Sequence, residues 1–330
     1  ATAQDPHFTQ YQSSPLLLNP SLTGFFNGDV RMSGVYRNQW QNIASPFRTG
    51  SFSVDANVLK GVVRDGDILG IGFTGMFDAS NNGGLKVNSL SASLGYNFRL
   101  DGEGVNRLGI GFMASTNNKI IDYSKFTFGQ QLTLNGFNIN LPTGEPRNGM
   151  SLNYMDYAAG ILYSAIADYS SFTLGGSIYH INNRLQTTSI PLAQTQARYV
   201  AHTGGYTQLD DLGKLHLSAA YMKSDQMEEI IFGAAYSRTL SPNLDDNFNF
   251  LFGAFYRYND AISPYIGLEF GNLRGGLSYD VNVSSLQTAS RLRGGLELSL
   301  SFLFTGNPDK NALKQTLCPR GGSQLRWFGY

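Results

Sequence analysis

The stretch Leu292-Arg-Gly-Gly-Leu-Glu-Leu-Ser-Leu-Ser-Phe-Leu-Phe304 decides the fold. Its even positions, Leu292, Gly294, Leu296, Leu298, Leu300, Phe302 and Phe304, are apolar or small. Between them lie Arg293, Gly295, Glu297, Ser299, Ser301 and Leu303. Successive side chains of a strand point to opposite faces, so this segment has one greasy face and one largely polar face. The same period of two continues upstream. Leu273, Gly275, Leu277, Tyr279 and Val281 alternate with Arg274, Gly276, Ser278 and Asp280. Ile262, Pro264, Ile266, Leu268 and Phe270 alternate with Ser263, Tyr265, Gly267 and Glu269. Far from these, Leu90, Ala92, Leu94, Tyr96 and Phe98 alternate with Ser89, Ser91, Ser93, Asn97 and Arg99.

Fourteen such segments are expected, near residues 29–40, 48–58, 66–78, 87–100, 105–116, 153–164, 171–182, 197–207, 213–223, 228–238, 248–258, 262–270, 272–281 and 290–304. The eighth, containing Val200-Ala-His-Thr-Gly-Gly205, barely alternates. Most reach the ~9–11 residues that a tilted strand needs to cross a membrane, whereas strands of soluble proteins average nearer ~5–6. No apolar run approaches the ~18 residues of a transmembrane helix. The expectation is therefore an all-β protein, a transmembrane outer-membrane β-barrel of about 14 antiparallel strands. Its greasy positions face lipid and its Ser, Asn, Arg and Glu positions face the lumen. A soluble β-sandwich of similar alternation would have shorter strands and a more charged outer face.

Connector lengths agree. Asp101–Gly104 and the join at Gly271-Asn272 suit periplasmic turns, and residues 117–152 suit a long extracellular loop. The link at Ser224–Met227 is short for its external position. An even strand count returns the C-terminus to the N-terminal side. The expected organisation is an N-terminal periplasmic or plug segment, 1–28, a barrel, 29–304, and a C-terminal periplasmic tail, 305–330.

Composition narrows function. The 24 Lys+Arg balance 24 Asp+Glu, and charged residues are 15% of the chain, against roughly 25% in soluble domains. Zero net charge gives no electrostatic reason to expect nucleic acid. The one cysteine, Cys318, excludes an internal disulfide framework and a thiolate cluster. The opening Ala1-Thr-Ala3 reads as the remnant of a signal-peptidase site, so a processed, exported chain is expected.

No motif carries catalysis, a cofactor or a metal. Gly70-Ile-Gly-Phe-Thr-Gly75 matches a dinucleotide fingerprint, but it lies inside an alternating strand with no helix after it. Its glycines are expected to ease crowding in the wall. His7, His180, His202 and His216 show no ligand spacing, and no G-x-S-x-G elbow occurs. Predicted lumen charges gather late, at Arg257, Glu269, Arg274, Asp280, Arg291, Arg293 and Glu297. Both signs interleave, as in an internal salt-bridge network or in a lining that grips a polypeptide or selects a solute. Trp40, Tyr96, Tyr236 and Tyr256 suit interfacial or lipid-facing aromatics.

The long loop is the candidate partner surface. Phe126 to Gly144 carries no charge, yet holds Phe126, Phe128, Leu132, Leu134, Phe137, Ile139 and Leu141. Leu132-Thr-Leu134 and Phe137-Asn-Ile139 around Asn135-Gly136 read as a small hairpin. Such a hairpin needs cover, either by folding over the barrel mouth or from a partner. Phe126, Phe128, Leu134, Phe137 and Ile139 are the expected contacts, with the 183–195 and 282–289 loops nearby.

At the N-terminus the residues become specific. Gln4-Asp5-Pro6, Phe8-Thr9-Gln10-Tyr11, Asn19-Pro20 and Gly24 run into Tyr36-Arg37, Gln39-Trp40, Pro46-Phe47 and Ser53-x-Asp55. With Cys318-Pro319-Arg320 near the other end, this pattern resembles the PorP/SprF family of outer-membrane proteins of Bacteroidota type IX secretion and gliding machinery. The family typically stops one aromatic residue later, whereas Gly321–Tyr330 follow here, and no family role carries over to them. The resemblance implies an outer-membrane barrel whose Gln4–Gly24 segment stays periplasmic or occludes the lumen. It implies a partner in the C-terminal domain of a secreted cell-surface adhesin, which the barrel helps to secrete or anchors. Other type IX or gliding components, some periplasmic, are further expected partners, and lipid or lipopolysaccharide covers the exterior. Two alternatives stay open: a core-machinery adaptor that binds periplasmic components, and a solute porin or channel. The family pattern defines no catalytic residue.

Overall fold

The computed structural model describes residues 7–39, 46–80, 83–134, 136–138, 140–144, 149–182, 196–224, 227–241, 248–283 and 294–305. Fourteen antiparallel strands form a closed barrel. They are β1 (Val30–Gln39), β2 (Phe47–Val58), β3 (Ile68–Ser80), β4 (Leu85–Arg99), β5 (Asn106–Ile121), β6 (Met150–Ile166) and β7 (Ser170–Tyr179). They continue as β8 (Arg198–Asp210), β9 (Gly213–Ser224), β10 (Met227–Ser241), β11 (Phe248–Arg257), β12 (Ala261–Phe270), β13 (Leu273–Tyr279) and β14 (Gly295–Phe304). Each predicted segment carries one of them. Sequential strands pair throughout, and β1 closes the sheet on β14, from Val30 opposite Phe304 to Gln39 opposite Gly295. Closure leaves no unpaired sheet edge. Among the described residues no helix is long and apolar enough to cross a membrane.

The decisive stretch behaves as its alternation requires. Leu296, Leu298, Leu300, Phe302 and Phe304 are exposed on the outer face, whereas Glu297, Ser299 and Leu303 are buried on the inner one. The outer apolar band stops at a row of amides, because Asn88 pairs with Asn118 and Asn118 with Asn153 across β4, β5 and β6. Asn118 Nδ2 donates to Asn153 Oδ1 at 2.6 Å. Beyond this row the same three strands continue to Leu85, Ile121 and Met150. They carry the connector 122–149 clear of the band.

The connectors 59–67, 100–105, 167–169, 211–212 and 271–272 share one end of the barrel, with Val30 and Phe304. The strand ends Gln39, Ser80, Ile121, Tyr179, Ser224, Arg257 and Tyr279 share the other. These are called the short-turn and long-loop ends.

Residues 7–28 lie inside the barrel. A 3-10 turn (Tyr11–Ser13), a single helical turn α1 (Pro15–Leu18) and a second 3-10 turn (Pro20–Leu22) follow one another. Pro15 and Pro20 each stand in the first turn, where proline lacks only an amide that would be unpaired anyway. Phe8, Tyr11, Leu16, Leu18, Leu22 and Phe25 are buried, Leu16 and Leu22 completely. All but Phe8 pack against inward-facing Met113, Ala158, Leu162, Val200, Ile231, Leu251 and Phe255 of the wall. Each fully buried Leu side chain contributes about 1.5–3 kcal/mol. The lumen thus holds the hydrophobic core of the molecule.

This packing explains β8. Its inner face carries Arg198, Val200, His202, Gly204 and Tyr206, all buried. A wall that meets apolar segment residues has no need of a polar inner face, so the alternation of hydropathy fades while the alternation of burial persists. The same holds for β11, where Leu251 and Phe255 inside and Phe252 and Tyr256 outside are all apolar or aromatic.

Candidate functional site

The segment climbs from the short-turn end to the long-loop end. At its base a Cβ on Gly28 would press on Leu303, and Arg31 and Asp55 form a bidentate pair inside the wall. Arg31 Nε and Nη2 donate to the two Asp55 oxygens at 3.0 and 2.7 Å. Arg31 Nη2 also donates to Leu22 O at 3.0 Å, and Gly24 N donates to Asp55 Oδ2 at 2.8 Å. Both ions are buried, so the pairing and the added backbone bonds replace the water they have lost.

Midway, Asn19 caps the second 3-10 turn. Its Oδ1 accepts from Ser21 N at 3.0 Å and from Ser21 Oγ at 2.7 Å. Its Nδ2 donates to Ile161 O and lies 3.0 Å from His202 Nε2. The wall is cut to fit here. A Cβ on Gly70, Gly95, Gly111 or Gly160 would overlap the backbone or side chains of Asn19–Gly24. The glycines of the Gly70-x-Gly72 motif therefore make room for the segment, Gly70 against Thr23 and Gly24 and Gly72 against Leu16.

At the top the contacts become ionic. Thr9 N and Gln10 N donate to the two Glu297 carboxylate oxygens at 2.9 and 2.6 Å. Gln10 Nε2 donates to Ser278 Oγ and Glu297 O, and its Oε1 accepts from Ser299 Oγ. Thr9 Oγ1 donates to Asp280 Oδ1 and accepts from Arg257 Nη1, each at 3.1 Å. Arg37 Nη1 donates to His7 O at 2.8 Å, and Arg37 and Arg257 both donate to Asp280 Oδ2. Among the described residues no guanidinium lies within hydrogen-bond reach of Glu297, the nearest being Arg37 Nε at 3.8 Å. The two segment amides therefore hold this buried carboxylate.

Of the predicted lumen charges, Arg257, Asp280 and Glu297 converge on this upper cluster. Glu269 and Arg274 pair with each other near the short-turn end, and Asn249 donates to Glu269 Oε2. Arg291 and Arg293 lie outside the described residues. Sequence reasoning missed Glu229 and Arg31 as site residues, and it read Arg37 and Asp55 only as family signature. That signature was the available signal. Thr9, Gln10, Asn19, Gly24, Arg37 and Asp55 all serve contacts between segment and wall.

At the long-loop end the hairpin forms, with Leu132 opposite Phe137 and Thr133 opposite Gly136. Gly136, expected in the turn, is itself paired, and it takes φ +105°. Phe126 and Phe128 are half-buried with ring centroids 6.4 Å apart, and Tyr123 lies 6.4 Å from Phe128. Leu132, Leu134 and Phe137 are exposed, Leu134 completely. Ile139 and the 183–195 loop lie outside the described residues, as do Trp40, Cys318 and Gln4. Asp122 begins the loop. A hydrogen bond from the Ser124 hydroxyl, with help from the Ser124 amide and Lys125, holds its carboxyl below the usual range. Among the described residues no group of His, Cys, Asp and Glu could hold a metal ion.

Residues 1–302 match the family described as type IX secretion system membrane protein PorP/SprF. No curated protein matches the chain. Among solved structures, the Ralstonia pickettii toluene transporter TbuX is 10% identical, with a TM-score of 0.50 over 88% of this chain and 92% of that one. A Pseudomonas aeruginosa FadL homologue is 11% identical, with a TM-score of 0.49 over 87% and 93%. At such identity TbuX shares the barrel fold, and its transported compound says nothing about this chain.

Proposed function

Because the chain belongs to the PorP/SprF family of type IX secretion system membrane proteins, we propose that it is a non-enzymatic outer-membrane barrel that binds the C-terminal domain of a secreted adhesin and retains it at the cell surface. Barrels of this class carry their longer loops outside the cell, so the long-loop end faces the secreted protein. The observation that carries the reading is the exposed, uncharged hairpin at that end. Leu132, Leu134 and Phe137 project on strands that outrun the apolar band. Contiguous exposed apolar side chains of this kind mark interaction sites. Phe126 and Phe128, whose rings lie 6.4 Å apart, and Ile139 complete the proposed contact set.

The filled lumen supports binding over conduction. A core of buried Leu and aromatic side chains occupies the space a porin keeps open. Arg257, Asp280 and Glu297 then serve to hold the segment rather than to select a solute.

The test is affinity purification from the native envelope in mild detergent, followed by mass spectrometry of the bound proteins. An adhesin C-terminal domain at near-equal amount is the expected result. Recovery of periplasmic machinery alone would overturn it in favour of an adaptor. A bare barrel with steady ion conductance in planar bilayers would overturn it in favour of a channel.

A further inference from the structure

The two halves of the lumen segment are held by different physics. Leu16–Gly24 is held by shape. The described wall glycines whose missing side chains make room for the segment all face this half. His7–Gln10 is held almost wholly by polar groups on the wall, which address its backbone as much as its side chains. Glu297 takes two consecutive amides and Arg37 takes the His7 carbonyl. Ser278, Ser299, Asp280 and Arg257 read one amide side chain and one hydroxyl.

That is the chemistry of a peptide-recognition site, occupied by the protein's own chain. The upper half is also the less satisfied one. Both side-chain polar atoms of buried Gln12 lack a hydrogen-bond partner among the described residues. So do both carboxylate oxygens of Glu229, whose nearest basic groups are His7 Nε2 at 3.5 Å and Arg257 Nε at 3.6 Å. The site lies toward the long-loop end, where Arg257 also bonds half-exposed Asp260 in the 258–260 turn.

We propose that the upper lumen is a peptide-binding site, closed in cis by His7–Gln12, which an extended, uncharged, Thr- and Gln-bearing segment of a secreted protein occupies in its place from the long-loop end. The shape-fitted lower half stays seated throughout, so exchange opens a vestibule without unsealing the membrane. The assignment of the entering chain rests on the reading that this end faces a secreted partner; the site itself does not.

The test uses the full-length protein and a fluorescent peptide of the sequence His7–Ser14, with no adhesin present, so its outcome is independent of the hairpin reading. In the wild type the tethered segment competes at high effective concentration. Fluorescence anisotropy is expected to show at least tenfold tighter peptide binding to the T9A/Q10A variant than to wild type. A peptide with both positions changed to Ala is expected not to bind. Equal binding to both proteins, or equal binding of both peptides, would overturn the site. If T9A/Q10A does not assemble, hydrogen exchange on E297Q decides. The amides of Thr9 and Gln10 are expected to exchange at least tenfold faster while that of Gly24 is unchanged. Uniform acceleration along the segment, or none, would overturn the division into two halves.

Discussion

Gln10 and Glu297 stand 287 positions apart, yet Gln10 N donates to Glu297 Oε1 at 2.6 Å and Gln10 Nε2 to Glu297 O at 3.1 Å. One residue of the lumen segment thus reads both the side chain and the backbone of the strand that closes the barrel. Neighbouring Arg37 lies on β1, the other strand of that closure. The segment and the seam are therefore one structural unit, and perturbing either should be felt in the other.

Glu297→Ala removes the acceptor of two buried amides. An unsatisfied buried donor costs about 1–3 kcal/mol, so the variant is expected to lose about 3 kcal/mol of resistance to urea. The shift from folded to unfolded mobility on unboiled gels measures this. A midpoint unchanged from wild type would contradict the role given to the carboxylate.

Two glycines of one motif should respond oppositely. An added methyl at Gly70 meets the backbone of Thr23 and Gly24, whereas at Gly75 it meets nothing within 4 Å. Gly70→Ala is expected to destabilise by about 1–3 kcal/mol, the usual cost of overpacking. Gly75→Ala should stay within about 0.5 kcal/mol. Parallel urea titrations compare the two, and equal effects would mean that the segment does not constrain the wall.

The hairpin separates binding from stability. Changing Leu132, Leu134 and Phe137 together to Ser removes exposed side chains, so barrel assembly should be unaffected. Retention of the adhesin domain on immobilised barrel should fall at least tenfold. Since 126–144 carries no charge, wild-type retention should change little between low and high salt. Loss of retention at high salt would place the interface elsewhere.

Asp122 predicts how the loop responds to acid. Its folded carboxyl is depressed, first by the Ser124 hydroxyl, so its contribution is present above the unfolded value, about 3.9, and fades as pH falls through the lower folded value. Hydrogen exchange at the Ser124 amide, which donates to Asp122 Oδ1, should therefore show the same protection factor at pH 7 and pH 5. A loss of protection already at pH 5 would refute the assignment.

The strands were legible because lipid imposes a strict rule on one face. Every outward position must be apolar, as Leu296, Leu298 and Leu300 show, and the period of two survives wherever the inner face is polar. It faded at Val200–Gly205 because inward Val200 joins the apolar core while Thr203 and Gly205 stand on the outer face. Arg257, Asp280 and Glu297 were legible as lumen charges by the same parity.

Their partners were not, because parity tells which face a side chain occupies and not which distant residue it meets. The sequence alone determined the barrel, its fourteen strands, their facing and the loop that outreaches them, since each follows from local alternation against a uniform solvent. Only the tertiary structure decided that residues 7–28 fill the lumen, that Glu297 is held by two amides of the segment and that Gly70 is a cut-out for Thr23 and Gly24. Those contacts join residues tens to hundreds of positions apart, and they exist only once the sheet has closed around the segment.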